Sequence, residues 1–475
     1  MSRNNEPAKA LGKKSMMDRY VGWFVRWMPD SMAIILLMTF VLAIVIKFAT
    51  GSPFIFSSDT KTSILNAWTD GFWALLTFSM QMTLVMVTGY IVSNVGIVKK
   101  GLLKLAELPN NEFQANLLSM VAGTLMSWVH WGLGTMTSIV LGRQILALAK
   151  TKKGYKIHLP LYLGMGVMRA AFASHGLSQA PALMATTPGA MAQYVPDAYK
   201  DKIGLVPMTQ TVLSPQVLIS IVILLLSSFV FYFLLRPKRQ EDYKEISDEF
   251  CEEILNAGKV TGKPEMKDFA TFMNNSPLLT TIIGGFGLVW CAMSLSKTGI
   301  IGLSINTFNL LMLCLGLVLS GSPAKFSKIA IESMSNVWGV VVQFPLYAGL
   351  FGLITYTGFA GILTNFFLNI ATTKTFPVIV FIYSAIINMM VPSGGSKFII
   401  ELPYILPAGI ELGVPLWKVI NSYTWGDLTT NIIQPFWLLP TIAMYKTKFS
   451  ELMPYGLIFC AWALIFHAGF LLIFY

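Results

Sequence analysis

Long apolar stretches recur along this sequence and constrain its fold more than any other feature. Several approach the roughly 20 residues that a helix needs to cross a bilayer, and few charges interrupt them. The clearest lie at 32–46, 215–235, 278–295, 307–319 and 452–474. Only 12% of the residues are charged, against about 25% in soluble domains. We therefore predict an integral membrane protein that crosses the bilayer many times, as a carrier, channel or membrane enzyme does.

Simple sequence features argue against several other classes. The basic N-terminus lacks the short apolar core and small-residue cleavage site of a signal peptide, so we expect the first span to be retained. The four cysteines show no metal-type spacing and are expected to pack in the interior rather than form disulfides or a zinc site. No nucleotide-binding loop is present. The net charge of +11 does not by itself indicate a nucleic-acid partner, because lysines and arginines in a membrane protein concentrate in the loops that face the cytoplasm. No nucleic-acid partner is expected.

Lysines and arginines concentrate in alternate polar segments. Most of the 34 fall in segments that the positive-inside rule assigns to the cytoplasm. These segments are 1–30, 97–112, 143–158, 236–272, 322–330 and 445–450. The N-terminus is accordingly predicted to be cytoplasmic and the C-terminus external. Nine crossings are predicted, near 31–49, 67–95, 159–195, 207–235, 276–296, 302–321, 332–357, 416–446 and 452–473, of which the third and eighth are broken.

The apolar stretch 113–149 has lysines on both flanks, so both of its ends are expected on the cytoplasmic side. Its arms, 113–128 and 135–149, are about 15 residues each, or about 22 Å of helix. A bilayer core is roughly 30 Å thick. We therefore predict a re-entrant hairpin whose tip is the sequence "SWVHWGLGT" at 127–135.

The second half of the chain repeats the order of sequence features seen in the first half. Gln81 and Gln343 stand at the same 262-residue offset as Gly132 and Gly394. An odd number of crossings separates the halves, which predicts inverted repeats of the kind found in secondary carriers. The chain is predicted to consist of a cytoplasmic arm (1–28), a first repeat (29–235), a cytoplasmic linker (236–273) and a second repeat (274–475) with its own hairpin at 376–410.

Four predicted interruptions of helix define the candidate site: the hairpin tips 127–135 and 391–397 and the breaks 173–181 and 424–435. Broken backbone is costly in lipid, so it is expected where protein or water covers it, near the substrate of a carrier. Taken singly, each of these residues could have an ordinary structural role: a glycine in a tight turn, a proline at a helix kink, or a serine as a hydrogen-bond partner of the backbone. The predicted substrate-binding residues are Ser127, His130, Trp131, Gly132, Gly134, Thr135, Ser174, His175, Ser178, Ser393, Gly394, Gly395, Ser396, Lys397 and Gln434.

Ionisable groups in the membrane interior are the sharper signal, because charge there is expensive. Lys397 is expected to meet a substrate carboxylate. Coupling is predicted either through a proton on His130, His175 or Asp427, or through a sodium ion held by carbonyl oxygens with Thr429 and Asn431. Arg169 is expected to pair with Asp427 or to extend toward the membrane surface. No other cofactor is expected.

Many stretches of the chain resemble the short-chain fatty acid transporter family, which is typified by the bacterial acetoacetate and butyrate permease. The resemblance rests above all on the combination of "VPSGG" at 391–395 and "QPFW" at 434–437. It departs from the family's pattern at His130, at Ser396 and Lys397, and in "SHGLSQAP" at 174–181.

The resemblance implies uptake of short monocarboxylates across the bacterial inner membrane. It also implies membership of the wider ion-transporter superfamily, in which most members are dimeric elevator carriers. The fold class expected is an all-α polytopic membrane protein of two inverted repeats, each with a re-entrant hairpin and a broken transmembrane helix.

Other functions stay open from the residues alone. A sodium/proton antiporter, or a carrier of a di- or hydroxycarboxylate, would use a similar framework. A passive channel is less suited to two pairs of broken helices. The serines, histidines and Asp427 could in principle form a hydrolase triad, but the G-x-S-x-G elbow is absent and no enzyme is expected.

Overall fold

The computed structural model describes residues 31–256, 268–334 and 337–475, together with Arg26 and Pro29. Within these residues the regular structure is helical, and the one β pairing is an isolated bridge. The first-half helices are α1 Ser31–Thr50, α2 Ile64–Phe72, α3 Leu76–Asn94, α4 Gly96–Leu105, α5 Glu112–Val129, α6 Trp131–Leu148, α7 Leu159–Met168, α8 Ala180–Thr186, α9 Asp197–Lys200 and α10 Pro215–Leu235. An all-α fold is therefore confirmed.

The second half begins after the predicted cytoplasmic linker, part of which (257–267) lies outside the described residues, as does nearly all of the predicted arm 1–28. The remaining helices are α11 Asp248–Asn256, α12 Phe269–Asn275, α13 Leu278–Thr298, α14 Ile305–Ser320, α15 Pro323–Ser333, α16 Phe344–Tyr356, α17 Phe359–Ile370, α18 Phe376–Asn388, α19 Ser396–Glu411, α20 Leu416–Thr430, α21 Pro435–Met444 and α22 Phe449–Phe474.

Helices α1, α10 and α13 are apolar on every side yet largely exposed in the isolated chain. Large side chains project outward from them and from α22, among them Phe48, Phe286 and Ile473, which are 86%, 81% and 76% exposed. Seven helical segments of the described chain are long and apolar enough to cross a membrane. Such surfaces are stable when lipid tails or another subunit cover them. The fold is that of a polytopic membrane protein.

The ends of these helices follow ordinary capping chemistry. Side chains of Asn111, Ser214 and Ser304 accept backbone N–H groups at the starts of α5, α10 and α14. Gly321 ends α14 with φ of 71°, a left-handed conformation that glycine adopts without strain. These local signals set the positions at which the chain turns between long helices.

The first predicted hairpin is formed by α5 and α6, which pack against each other. Its arms are longer than predicted, with 18 residues each, or roughly 27 Å of helix. The reason is that the turn needs only one extended residue, His130, rather than the whole segment 127–135. The second hairpin is formed by α18 and α19 and turns through residues 389–395. Whether either hairpin re-enters the membrane stays a prediction.

The broken helices also differ in detail from the prediction. The first break separates α7 from α8 and includes a short 3-10 turn at Arg169–Ala171. The second is narrower than predicted, because α20 continues to Thr430 and α21 begins at Pro435. Asp427 and Thr429 therefore lie inside a helix rather than at a break. In addition, the predicted span 67–95 is interrupted between α2 and α3.

Corresponding helices of the two halves pack in the same pairs. At the 262-residue offset, α3, α4 and α6 of the first half match α16, α17 and α19 of the second. Helix α6 packs against α3 and α4, and α19 packs against α16 and α17. The hairpins of both halves are thus supported by equivalent neighbours.

Helices α2 and α16 cross closely enough that only glycine fits at the crossing point. A Cβ atom on Gly352 would lie 2.2 Å from the carbonyl oxygen of Ala67 and 2.6 Å from the Cα of Gly71. The crossing joins the two halves of the chain, and close approach of backbones through small residues is a common way for membrane helices to associate.

Replacement of Gly352 by alanine is expected to lower the thermal unfolding midpoint in detergent, because overpacking costs about 1–3 kcal/mol. The matched control is Gly361→Ala, since no atom lies within 4 Å of a Cβ at that helical glycine. The control should leave the midpoint unchanged or raise it. A Gly352→Ala protein as stable as its control would show that the crossing is not tight.

Candidate functional site

The tip of the first hairpin lies against the first break. The backbone N–H of Leu177 donates to the carbonyl of Trp128 at 2.7 Å, and the N–H of Trp131 donates to Ser178 Oγ at 2.9 Å. A Cβ on Gly176 would collide with the Trp128 carbonyl, at 2.0 Å. Unsatisfied backbone groups at the tip and at the break therefore find partners in each other, as burial requires.

The tip of the second hairpin reaches the same break from the other side. A Cβ on Gly394 would lie 3.4 Å from Gln179 Nε2 and 2.6 Å from Asp427 Oδ2, and a Cβ on Gly395 would lie 3.2 Å from that of Ala180. These two glycines have no side chains because helix ends and polar groups crowd against their backbone. Residues 176–180 are consequently held between the two hairpin tips.

The second break is tied to both hairpins as well. Asn388, at the end of α18, donates its amide to the carbonyl of Asp427 at 2.7 Å, to Thr430 Oγ1 at 2.9 Å and to Asn431 Oδ1 at 2.8 Å. On the other side, the Trp131 ring meets Trp437 edge to face at 6.0 Å between centroids. All four interruptions of helix therefore converge in one region.

Three ionisable side chains form a buried cluster beside this region, with exposed fractions of 1% for Lys397, 1% for Glu401 and 3% for Asp427. Lys397 Nζ lies 3.3 Å from Asp427 Oδ1 and donates to the carbonyl and hydroxyl of Ser384 at 3.0 and 2.6 Å. The same ammonium lies 4.3 Å from the centroid of the Tyr423 ring. The predicted role of Lys397 toward a substrate stays a prediction, but its charge already has a carboxylate of the protein beside it.

Arg169 is a buried cation of a different kind. Its Nε donates to the Gly166 carbonyl at 3.1 Å and its Nη2 donates to Ser138 Oγ, whereas Nη1 is buried without a hydrogen-bond partner. Among the described residues no carboxylate lies within ion-pair distance of this guanidinium. The expected pairing with Asp427 is wrong, because Asp427 pairs with Lys397 instead.

The space around Arg169 is built for a guanidinium. It lies at the start of the first break, and a Cβ on Gly123 would lie 1.7 Å from Nη1, so α5 makes room for it. Ser138 is fixed by the hydroxyl of Tyr445, which donates to the Ser138 carbonyl at 2.7 Å. The side chain is only 7% exposed. It does not extend to the surface of the protein.

Both nitrogens of His130 have backbone partners. Nδ1 accepts the N–H of Gly132 at 2.9 Å and so caps α6, and Nε2 lies 3.0 Å from the Val85 carbonyl. The ring is fully buried and stacks against Phe308. His175 is also buried and meets Trp425 edge to face. These contacts support structural roles for both histidines. Their predicted roles in proton coupling stay predictions.

The predicted sodium ligands have partners within the protein. Thr429 Oγ1 donates to the Trp425 carbonyl at 2.7 Å and lies 3.0 Å from His467 Nδ1. Asn431 Oδ1 accepts the Asn388 amide. A cation at this position would have to replace contacts that the helices already use.

The other predicted residues lie near the tips but differ in exposure. Ser127 is buried and so close to Gly134 that a Cβ there would collide with its Oγ, at 1.7 Å. Thr135 is exposed and donates to the Trp131 carbonyl at 3.0 Å. Ser396 is buried and its hydroxyl donates to Ser393 at 2.8 Å. Ser174 is half-buried and Gln434 is buried.

Three residues in and beside the cluster were not expected from the sequence: Glu401, which belongs to it, and Ser384 and Asn388, which form hydrogen bonds with Lys397 and with the backbone of Asp427. A readable signal existed for Glu401, because it stands four positions after Lys397 in an apolar run and therefore on the same helix face. Ser384 and Asn388 carried no such signal, since polar residues of this size occur throughout the apolar stretches.

Comparison with known proteins gives one consistent result. Residues 14–474 match a family described as short chain fatty acid transporter. A candidate short-chain fatty acid transporter of Escherichia coli (strain K12) is 30% identical over 452 residues, which cover 95% of this chain and 96% of that protein. A second candidate, from Haemophilus influenzae, is 30% identical over 461 residues, or 97% and 98% of the two chains.

Two solved structures share the fold. The Alcanivorax borkumensis YdaH transporter superposes with a TM-score of 0.59 at 15% identity, covering 94% of this chain and 98% of that one. Neisseria gonorrhoeae MtrF, described with a class of antimetabolite efflux pumps, superposes with a TM-score of 0.60 at 16% identity, covering 96% of this chain and 97% of that one. At these identities the likeness concerns the fold alone.

The contacts of His130 predict different effects for two substitutions. His130→Ala and His130→Asn both lose the buried ring and its contacts with Phe308 and the Val85 carbonyl, so both should have a lower thermal midpoint. His130→Asn keeps a side chain that can cap α6 and should be more stable than His130→Ala by about 1 kcal/mol. If the asparagine variant is as unstable as the alanine variant, capping is not what His130 contributes.

Proposed function

Since this chain belongs to the short-chain fatty acid transporter family and is a membrane transporter rather than an enzyme, we propose that it carries short monocarboxylates such as acetoacetate or butyrate. We place it in the bacterial inner membrane with a cytoplasmic N-terminus. The distribution of lysine and arginine supports that orientation. The direction proposed is uptake, driven by a proton or sodium gradient.

The observation that carries the proposal is the uncompensated charge of Arg169. A buried cation without an anionic partner is costly, and the cost falls when an anion arrives. A guanidinium binds a carboxylate through charge-assisted hydrogen bonds, and Nη1 has a hydrogen to donate. One uncompensated positive charge matches a substrate with one negative charge, which favours a monocarboxylate over a dicarboxylate.

Lys397 is a weaker choice for the same task. Its ammonium already lies beside Asp427 and donates to Ser384, so a substrate carboxylate there would compete with groups of the protein. Arg169 also lies at the first break, between α5 and α6 of the first hairpin. A rearrangement of that hairpin would open or close access to it.

The two halves are proposed to be inverted repeats and to move as an elevator. The equivalent packing of α3, α4 and α6 and of α16, α17 and α19 supports a repeat. Inverted repeats with paired broken helices suit alternating access. The apolar faces of α1 and α13, exposed in one chain, support a homodimer in which a partner or lipid covers them.

Uptake into proteoliposomes tests the proposal directly. Labelled acetoacetate, butyrate and succinate would be supplied under separately imposed proton and sodium gradients, with protein-free liposomes to subtract passive entry of neutral acid. Saturable uptake of the two monocarboxylates, and little of succinate, is expected. Sodium/proton exchange without uptake of any carboxylate would favour the antiporter alternative and overturn the proposal.

Arg169→Gln is expected to reduce acetoacetate uptake at low substrate concentration by about 10- to 100-fold, because a hydrogen bond to a charged group contributes about 1.5–3 kcal/mol. The matched control is Arg143→Gln. Arg143 lies on α6 and pairs with Glu253 at 3.6 Å, so its charge is already compensated. Equal uptake by the two variants would show that Arg169 does not bind the substrate.

A further inference from the structure

The buried cluster of Lys397, Glu401 and Asp427, which we term the buried triad, has more negative groups than positive ones. Lys397 and Glu401 stand one turn apart near the start of α19, and Asp427 faces them from α20. All three are almost completely buried. With every group ionised, the buried triad would have a net charge of −1 in surroundings of low polarity, which is unfavourable.

The contacts of Lys397 show which carboxylate is less well compensated. An ammonium has three N–H donors. Two of them reach the carbonyl and the hydroxyl of Ser384, at 3.0 and 2.6 Å, and the same nitrogen forms an ion pair with Asp427 Oδ1 at 3.3 Å, although that oxygen accepts no hydrogen bond. Glu401 Oε1 lies farther away, at 4.0 Å. Both oxygens of Glu401 are buried without a hydrogen-bond partner.

No other cation faces Glu401 within the described residues. Its ionisable neighbours besides Lys397 and Asp427 are the phenols of Tyr383 and Tyr404, with Tyr423 beside them. The hydroxyls of Tyr383 and Tyr404 bond to each other at 2.8 Å. Tyr423 donates to the Gly394 carbonyl at 2.9 Å. The bond between Tyr383 and Tyr404 uses one of their two hydroxyl hydrogens, and neither hydroxyl forms a hydrogen bond with Glu401. In this conformation an ionised Glu401 would have no direct donor.

We propose that Glu401 is a proton-binding site, neutral in this conformation, and that its proton is the one coupled to substrate transport. This inference rests on the proposed function. When Glu401 is neutral, Lys397 pairs with Asp427 alone. When the O–H bond of the carboxylic acid breaks and the proton passes to water, the new carboxylate competes with Asp427 for the ammonium of Lys397.

The position of the buried triad connects this exchange to the moving parts. Lys397 and Glu401 belong to the helix that follows the second hairpin tip, and Gly394 of that tip is packed on Asp427. A shift of Lys397 toward Glu401 would loosen the contact between α19 and α20. Release of the proton and displacement of the tip are thereby linked.

A proton suits the buried triad better than a sodium ion. Sodium between these carboxylates would lie next to the ammonium of Lys397, and two positive charges at such a distance repel strongly where water is excluded. A proton bound covalently to Glu401 makes the carboxyl group neutral, so no second positive charge lies beside the ammonium of Lys397. The buried triad therefore favours proton coupling over a sodium ion bound at the same place.

Glu401→Gln mimics the protonated state and is the first test. In proteoliposomes, the variant should still exchange external labelled acetoacetate for internal unlabelled acetoacetate. Its accumulation of acetoacetate under a proton gradient should be at least tenfold lower than that of the unsubstituted protein. Glu411→Gln is the matched control, because Glu411 ends the same helix and its side chain is 43% exposed. Full proton-driven accumulation by Glu401→Gln would overturn the inference.

A spectroscopic test does not depend on transport. Purified protein at neutral pH should show the infrared carbonyl stretch of a protonated carboxyl group, and Glu401→Gln should lose it while Glu411→Gln keeps it. Should the glutamine variant fold poorly, Glu401→Asp serves instead: the shorter side chain moves the carboxyl group, so the band should shift in frequency. A band that persists unchanged in the variant measured would show that another group carries it and would contradict the inference.

The outcomes separate the two proposals. If the unsubstituted protein neither exchanges nor accumulates any carboxylate while the infrared band belongs to Glu401, the proposed function fails and the proton-binding site stands, without its link to transport. If acetoacetate accumulates under a sodium gradient and not under a proton gradient, the proposed function stands and the inference fails.

Discussion

The ion pair between Lys397 and Asp427 is the interaction on which the second half of this protein depends. It joins α19 to α20, and the bonds from Lys397 to Ser384 add α18, so one ammonium connects three helices that carry a hairpin tip and approach a helix break. Charges this deeply buried are tolerated only with partners, and removal of one partner leaves the other exposed to the full cost of desolvation. The glycine-rich tip can remain irregular because these helices hold it in place.

The two halves use buried charge differently. In the second half, Asp427 compensates the charge of Lys397, and Glu401 is left without a hydrogen-bond donor. In the first half, Arg169 has only neutral partners among the described residues. The proposed proton-coupled uptake of an anion would use both conditions, because the anion would bind to an uncompensated positive charge and the proton to a carboxylate whose ionisation is unfavourable. Residues 176–178 contact the tip of the first hairpin, and residues 179 and 180 contact the tip of the second.

Much of this architecture could be predicted from the sequence. Apolar length and composition predicted an all-helical membrane protein, and the "VPSGG" and "QPFW" motifs predicted the family. The finer features depended on tertiary contacts that no local pattern encodes. His130 alone makes the first turn, where its ring caps α6, and Asp427 lies within α20, where it pairs with Lys397. The predicted role of Lys397 toward a substrate stays a prediction, but the sequence already placed a potential partner, Glu401, one turn later on the same helix.

A structure determined with bound acetoacetate would show whether the substrate's charge is compensated in the first half while the charges of the second half compensate one another. We expect the substrate carboxylate within hydrogen-bond distance of Arg169 Nη1, with the contact between Lys397 and Asp427 preserved or exchanged only for a contact with Glu401. A carboxylate bound to Lys397 in place of Asp427, with Arg169 still unpartnered, would contradict this expectation.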